Sequence, residues 1–217
     1  GENNAFTNAD YTNYYLTLPK NNIETAFWLE SDRMLGLDFS QRSLDVQKQV
    51  VIEEFKQNYL NQPYGDVYLL LKPLAYKKHP YRWSTIGREI SHIEGAHLDE
   101  VIAFYKQYYN PDNAILSVAG DVDPDEVFRL AEHWFGPLPA GNKVAPAYPE
   151  EPPQTEARHL SVYRNVPQDA LYMAFHMPSR RDLRYYRADL ISDVLSNGHS
   201  ARLYQKLVKE RKMFTSL

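Results

Sequence analysis

The sequence predicts an α+β fold, a mixed or antiparallel sheet covered by helices and divided into two partial domains. Three observations carry this expectation. Tyr14, Leu16 and Leu18 alternate with Tyr15 and Thr17, a period of two that suits a half-buried strand over 11–18. Ala114–Ala119 is a short apolar run between turn signals, which suits a buried strand. Between the two lie four helical patterns, where a βαβ unit would have a single crossover helix. A proline-rich stretch over 137–154 then separates a first domain, residues 1–136, from a second, residues 158–217, with residues 137–157 as the linker.

In chain order, the first strand stops at Pro19, and Asn21 followed by Glu24 reads as a capping box. It opens a helix with Ile23, Ala26, Phe27 and Leu35 near one face, closed by Gly36. A second helix is expected from about Ser43 to Leu60 and a third from about Gly65 to Tyr76, kinked or shortened by Pro73. Residues 77–97 are rich in turn formers and aromatic side chains, so they read as a long ordered loop. Leu98, Val101, Ile102, Tyr105 and Tyr109 fall on one helix face, and Asn110-Pro111-Asp112-Asn113 turns the chain. Val127, Leu130, Ala131 and Trp134 mark a further amphipathic helix stopped by Gly136-Pro137. Beyond the linker, residues 159–164 and 170–176 read as strands, 182–196 and 200–212 as helices, and 214–217 as the start of another strand.

Composition narrows the function classes. The 217 residues are enough for one large or two modest cores, and the 43% apolar fraction with 17 tyrosines describes a globular chain. No apolar run approaches bilayer length, so no membrane span is expected. The absence of cysteine excludes disulfides and thiolate metal sites. A net charge of −4, with basic residues scattered, gives nucleic-acid binding no electrostatic support. The cluster Arg180, Arg181, Arg184 and Arg187 reads as the solvated start of a helix, with contact to a peptide carboxylate as the alternative.

One carboxylate stands out. Val50, Val51, Glu54 and Phe55 read as one helix face, so Glu54 is expected to point inward and Glu53 outward. A carboxylate removed from water needs pairing, hydrogen bonds or a cation. From the helix alone two readings stand: a rim carboxylate that reaches water or an arginine, or a ligand.

The run Asn4-Ala5-Phe6-Thr7-Asn8-Ala9-Asp10-Tyr11 resembles the strand after the zinc motif of the M16 metallopeptidases, the pitrilysin, insulysin and mitochondrial processing peptidase family. Val50-Val51-Ile52-Glu53-Glu54 is similar to the helix that supplies that family's third zinc ligand, and Glu54 keeps the family's interval from Thr7. His79-Pro80-Tyr81-Arg82 with Gly87, and Tyr108-Tyr109-Asn110-Pro111-Asp112-Asn113-Ala114 leading to Gly120-Asp121, match as well. Over 195–204, Leu195-Ser196-Asn197-Gly198 and Ser200-Ala201-Arg202-Leu203 resemble an element of a second M16-type domain.

The resemblance implies an M16-type sheet covered by helices, a zinc cofactor with Glu54 as metal ligand, and Asn4, Ala5 and Phe6 on a strand edge that binds peptide substrates by strand addition. The family's inverted His-x-x-Glu-His motif, which holds its other two ligands and its general base, is expected upstream of Asn4. His92 and His97, with Glu94 between them, do not reproduce it. Many active members carry a glutamate seven positions before the ligand, where Gln47 stands here; its amide can support the site by hydrogen bonding but supplies no charge. Two functions therefore follow from the resemblance: part of a zinc-dependent endopeptidase, inactive as the isolated chain, or a non-catalytic M16 homologue that serves as a partner or structural half. The expected partners are peptide substrates, the remaining M16 domains or a partner half, and further copies of the chain through self-association. The expected compartment is a bacterial periplasm or cell envelope.

Overall fold

A computed structural model describes residues 1–141 and 147–217; residues 142–146 of the proline-rich stretch lie outside the described residues. The described residues form two compact units, Gly1–Ala170 and Leu171–Leu217. Helices dominate both.

The first unit opens with an antiparallel hairpin of β1 (Glu2–Thr7) and β2 (Thr12–Thr17), in which Asn4 faces Tyr15, Ala5 faces Tyr14 and Phe6 faces Asn13. Asn8 makes the turn by accepting the amides of Asp10 and Tyr11 on its side-chain oxygen, at 2.8 and 3.0 Å. Helix α1 (Ile23–Leu35) follows and ends at Gly36. The expected Asn21–Glu24 box does not form. The N-cap is Asn22 without a side-chain cap bond, and the Glu24 carboxylate accepts from the Trp134 indole at 3.2 Å instead.

Helix α2 (Gln41–Phe55) is capped by Ser40, whose hydroxyl accepts the Ser43 amide at 3.2 Å, and continues through a π-type turn over Lys56–Leu60. Helix α3 (Val67–Ala75) runs through Pro73 and ends two residues later. The loop over 77–97 is ordered as expected and contains a short helix, α4 (Ile90–Glu94). Helix α5 (Leu98–Tyr108) starts at His97, whose amide is taken by the Glu100 carboxylate at 2.9 Å. Helix α6 (Pro124–Phe135) has the strongest cap, with Asp123 accepting the amides of Asp125 and Glu126 and Pro124 in the first turn.

The core of this unit gathers Phe27 from α1, Ile52 and Phe55 from α2, Tyr105 from α5 and Leu130 from α6. Phe27 meets the Phe135 ring at a centroid distance of 6.3 Å, and Phe39 meets Tyr105 edge-on at 4.9 Å. The hairpin is tied to these helices by polar contacts. The Tyr14 and Tyr109 hydroxyls lie 2.6 Å apart, the Arg33 guanidinium sits 4.2 Å over the Tyr14 ring, and Tyr105 donates to the Arg33 carbonyl at 2.7 Å.

Three sequence expectations are corrected here. Ala114–Ala119 is neither a strand nor buried, with Ile115 97% exposed. Residues 159–164 and 170–176 belong to no strand or helix, and 214–217 begins none. The reason is common to all of them: an apolar run becomes a strand only when a neighbouring strand supplies its ladder, and among the described residues the sheet holds β1 and β2 alone.

The second unit contains α7 (Arg184–Ser196) and a π-type helix over Tyr204–Glu210. Asp182 takes the Arg184 amide at 2.8 Å and pairs with the Arg184 guanidinium at 2.6 Å, which holds its carboxyl below the usual carboxylate range. The arginine cluster thus stands at a helix start, as expected.

Candidate functional site

Glu54 lies in the last turn of α2, and its position on that helix differs from the expectation. Val50 and Phe55 are about 140° apart at the helix's 100° per residue, so they cannot share one face. The inward stripe consists of Ile52 and Phe55, with Val51 at its margin. Glu54 and Val50 are exposed on the other side, Val50 at 53%. Inward orientation therefore gives no support to Glu54 as a ligand.

Glu54 differs from its neighbour Glu53 in its partners. Glu53 pairs with Lys56 at 2.7 Å, one turn away, whereas no hydrogen bond or ion pair to Glu54 is found among the described residues. Gln47 lies two turns earlier on the same exposed side and is likewise open to solvent. Asp45 is occupied by the Gln41 amide at 2.8 Å. The carboxylate of Glu54 is thus an uncommitted oxygen donor, of the chemical type that binds Zn²⁺. No group of three or more His, Cys, Asp or Glu side chains among the described residues could hold a metal ion.

The candidate peptide edge is the outer side of β1. All of Glu2–Thr7 is exposed, and β1 pairs on one side only, with β2. Asn4 turns its side-chain oxygen onto the Ala5 amide at 2.8 Å. Phe6, 48% exposed, packs edge-on against Tyr11 at 5.9 Å across the hairpin turn. Among the described residues, no hydrogen bond joins these β1 residues to Gln47 or Glu54.

Beside the hairpin is a cluster that the sequence does not reveal. Tyr81 donates to Asp10 at 2.7 Å, a contact between residues 71 positions apart. The hydrogen bond to Asp10, assisted by burial, pushes the Tyr81 phenol up to about 12. His79 accepts the Tyr81 amide on Nδ1 at 3.2 Å and stands edge-on to the Tyr81 ring at 4.4 Å. The Glu151 carboxylate accepts the successive amides of Lys77, Lys78 and His79 at 2.7, 2.7 and 2.8 Å. The His-Pro-Tyr run was the signal available in the sequence, but nothing in it points to Glu151 or Asp10.

Comparison with known proteins adds an independent line. A family model described as the Peptidase M16 inactive domain matches residues 96–217. The zinc protease PqqE of Helicobacter pylori is 30% identical over 216 residues, covering 98% of this chain and 48% of that protein. An uncharacterized zinc protease of Bacillus subtilis, YmxG, is 27% identical over 217 residues, covering 100% of this chain and 52% of its own length. A probable mitochondrial-processing peptidase subunit beta of Schizosaccharomyces pombe is 28% identical over 136 residues, covering 62% of this chain and 29% of its own. The crystal structure of a protease from Helicobacter pylori superposes with a TM-score of 0.84 at 28% identity, covering 99% of this chain and 52% of that one. The chain spans about half the length of the curated relatives it matches over its full extent. With the family model covering more than half of its residues, this chain belongs to the M16 peptidase family.

Proposed function

We propose that the chain is part of a zinc-dependent endopeptidase in which Glu54 is one of three metal ligands, Gln47 supports it, and the β1 edge at Asn4, Ala5 and Phe6 receives the peptide. The observation that carries this reading is the exposed carboxylate of Glu54, without a partner among the described residues and at the family's ligand interval from Thr7, in an M16-family chain whose relatives are named zinc proteases. Zinc, when bound, supplies an activated water at neutral pH. Glu54 provides one oxygen donor to it, and two further ligands are required from the upstream His-x-x-Glu-His motif that the resemblance implies. One carboxylate cannot hold the ion in that geometry, so the chain by itself is read as inactive. The free edge of β1 offers backbone hydrogen bonds, which bind extended peptides with little demand on sequence.

The proposed organisation has residues 1–136 as the later part of a first M16 domain, 137–157 as a linker and 158–217 as the opening of a second. The runs over 114–119, 159–164 and 170–176 would join an M16-type sheet once neighbouring strands are present. The exposed apolar groups, Ile115 and Phe175 among them, also favour association with partner domains or with further copies.

A second reading, a non-catalytic M16 half, is favoured by two observations: the family model is that of an inactive domain, and Gln47 stands where many active members have a glutamate. Chelator-sensitive hydrolysis of a fluorogenic peptide separates the readings. The intact protein is expected to cleave and the 217-residue chain is not. An intact protein with a purified metal content of zero and no cleavage would establish the non-catalytic reading.

A further inference from the structure

The segment over 148–158 is fixed at two points at the end of α3. Glu151 fills the concavity made by three successive amides, Lys77, Lys78 and His79, where a charged acceptor meets three converging donors. Arg158 donates to the carbonyls of Leu74 and Ala75 at 2.9 and 3.1 Å, a cation on the negative end of the helix. Tyr148 stands 5.7 Å from the His79 ring. A proline-rich stretch thus acts as a strap on its loop.

The loop does not end at the strap. His79, held by Glu151 through its own amide, orders Tyr81 by accepting the Tyr81 amide and packing on its ring. Tyr81 then reaches Asp10, within the Asn8–Tyr11 turn of the hairpin, where Tyr11 packs on Phe6. We propose that Glu151 is a positioning residue for the β1–β2 hairpin, acting through the ordered loop at His79–Tyr81 on Asp10. The proline-rich stretch is thereby coupled to the strand edge at Asn4–Phe6. The structural relay stands without any peptide; its consequence for substrate rests on the reading of β1 as the peptide edge.

The relay explains three features that packing alone leaves without a role. A carboxylate with three backbone donors is far more strongly held than an exposed linker requires. The Tyr81–Asp10 bond joins a loop to a turn that shares no strand or helix with it. The hairpin turn is closed by the Asn8 side chain accepting two amides and by the Asn8 amide donating to the Tyr11 carbonyl, so a tether at Asp10 acts on a residue held within that turn.

Amide hydrogen exchange of the intact protein tests the relay. Tyr81→Phe, which removes only the hydroxyl, should speed exchange at Asp10 and Tyr11 about tenfold, the range of one charge-assisted hydrogen bond. Glu151→Gln should speed exchange at 77–79 by a similar factor and at Asp10 and Tyr11 by a smaller, measurable one. In the Tyr81→Phe background, Glu151→Gln should still loosen 77–79 but add nothing at the hairpin. Arg158→Gln, which frees the same segment at its other end, should leave the hairpin unchanged. If Glu151→Gln fails to fold, Asp10→Ala at the exposed turn cuts the relay from its far end and should loosen 79–81. The relay is overturned if Glu151→Gln moves 77–79 and leaves Asp10 and Tyr11 as they were, or if Asp10→Ala leaves 79–81 unchanged. Hairpin amides that move while peptide affinity does not would uphold the relay and count against β1 as the peptide edge.

Discussion

The two sides of helix α2 behave as different materials. On one side Ile52 and Phe55 are closed over by the chain's own helices, with Phe55 only 2% exposed and its ring tilted against Tyr59 at 5.3 Å. On the other, Val46, Val50 and the unpartnered Glu54 face solvent. The closed side accounts for why the helix folds where it does. The open side has no such account within the described residues, and its exposed carboxylate is of the chemical type on which the proposed metal role rests. Burial therefore singles out the structural face of this helix and leaves the other side free for the metal role proposed for Glu54.

The largest effect expected from this contrast is on stability. Phe55→Ala removes a fully enclosed ring and should destabilise the first unit by about 3–5 kcal/mol, read from the urea midpoint, whereas Val50→Ala on the open side should change it by no more than about 0.5 kcal/mol. Equal costs would erase the distinction between the two sides.

A second prediction carries the contrast between partnered and unpartnered side chains to the loop, where Tyr81 donates to Asp10. The Tyr81 phenol is raised from 10 to about 12, which means that the fold favours its neutral form. The associated stabilisation is fully present below pH 10 and is lost as pH rises through about 12. Phenolate absorbance, taken as the difference between the protein and its Tyr81→Phe variant, should show this late titration. Asp10→Asn should bring it down toward 10, because the hydrogen bond to Asp10 is the largest cause of the shift. A Tyr81 titration that Asp10→Asn does not move would show that burial alone sets it.

The smallest effect belongs to Glu53. Its pair with Lys56 is exposed and one turn apart, so Glu53→Gln should alter stability by at most about 0.5 kcal/mol in low salt and by less at high salt. A loss well beyond that would mean that Glu53 is part of a larger network.

Local signals were legible in the sequence, and long-range ones were not. Helix α5 and helix α6 could be read from their 3.6-residue periods and their stops, and β2 from its alternation, because those patterns are written in neighbouring residues. The run over 114–119 was misread because strand formation depends on a partner, which no local window contains. The capping box at Asn21 failed because Glu24 found Trp134 of α6, 110 positions away. At the candidate site, the family's spacing singled out Glu54 and Gln47 as candidates, whereas the face of Glu54 was misread. A stripe drawn through Val50 and Phe55 mixes two sides of the helix, and only the packing of Ile52 and Phe55 resolves which one is inward. Tyr81–Asp10 and the Glu151 contacts are tertiary throughout and left no mark in the spacing of residues.

The most direct test of the central claim is the zinc content of the intact protein after Glu54→Gln and, in parallel, Glu53→Gln. Both variants keep the fold's side-chain volume on an exposed helix turn, so a difference between them reports on ligation. Glu54→Gln should lose bound zinc and reduce peptide hydrolysis by at least about a hundredfold, as expected when a metal ligand is removed, while Glu53→Gln keeps both. Retention of zinc and activity by Glu54→Gln would contradict the assignment of Glu54 as a metal ligand.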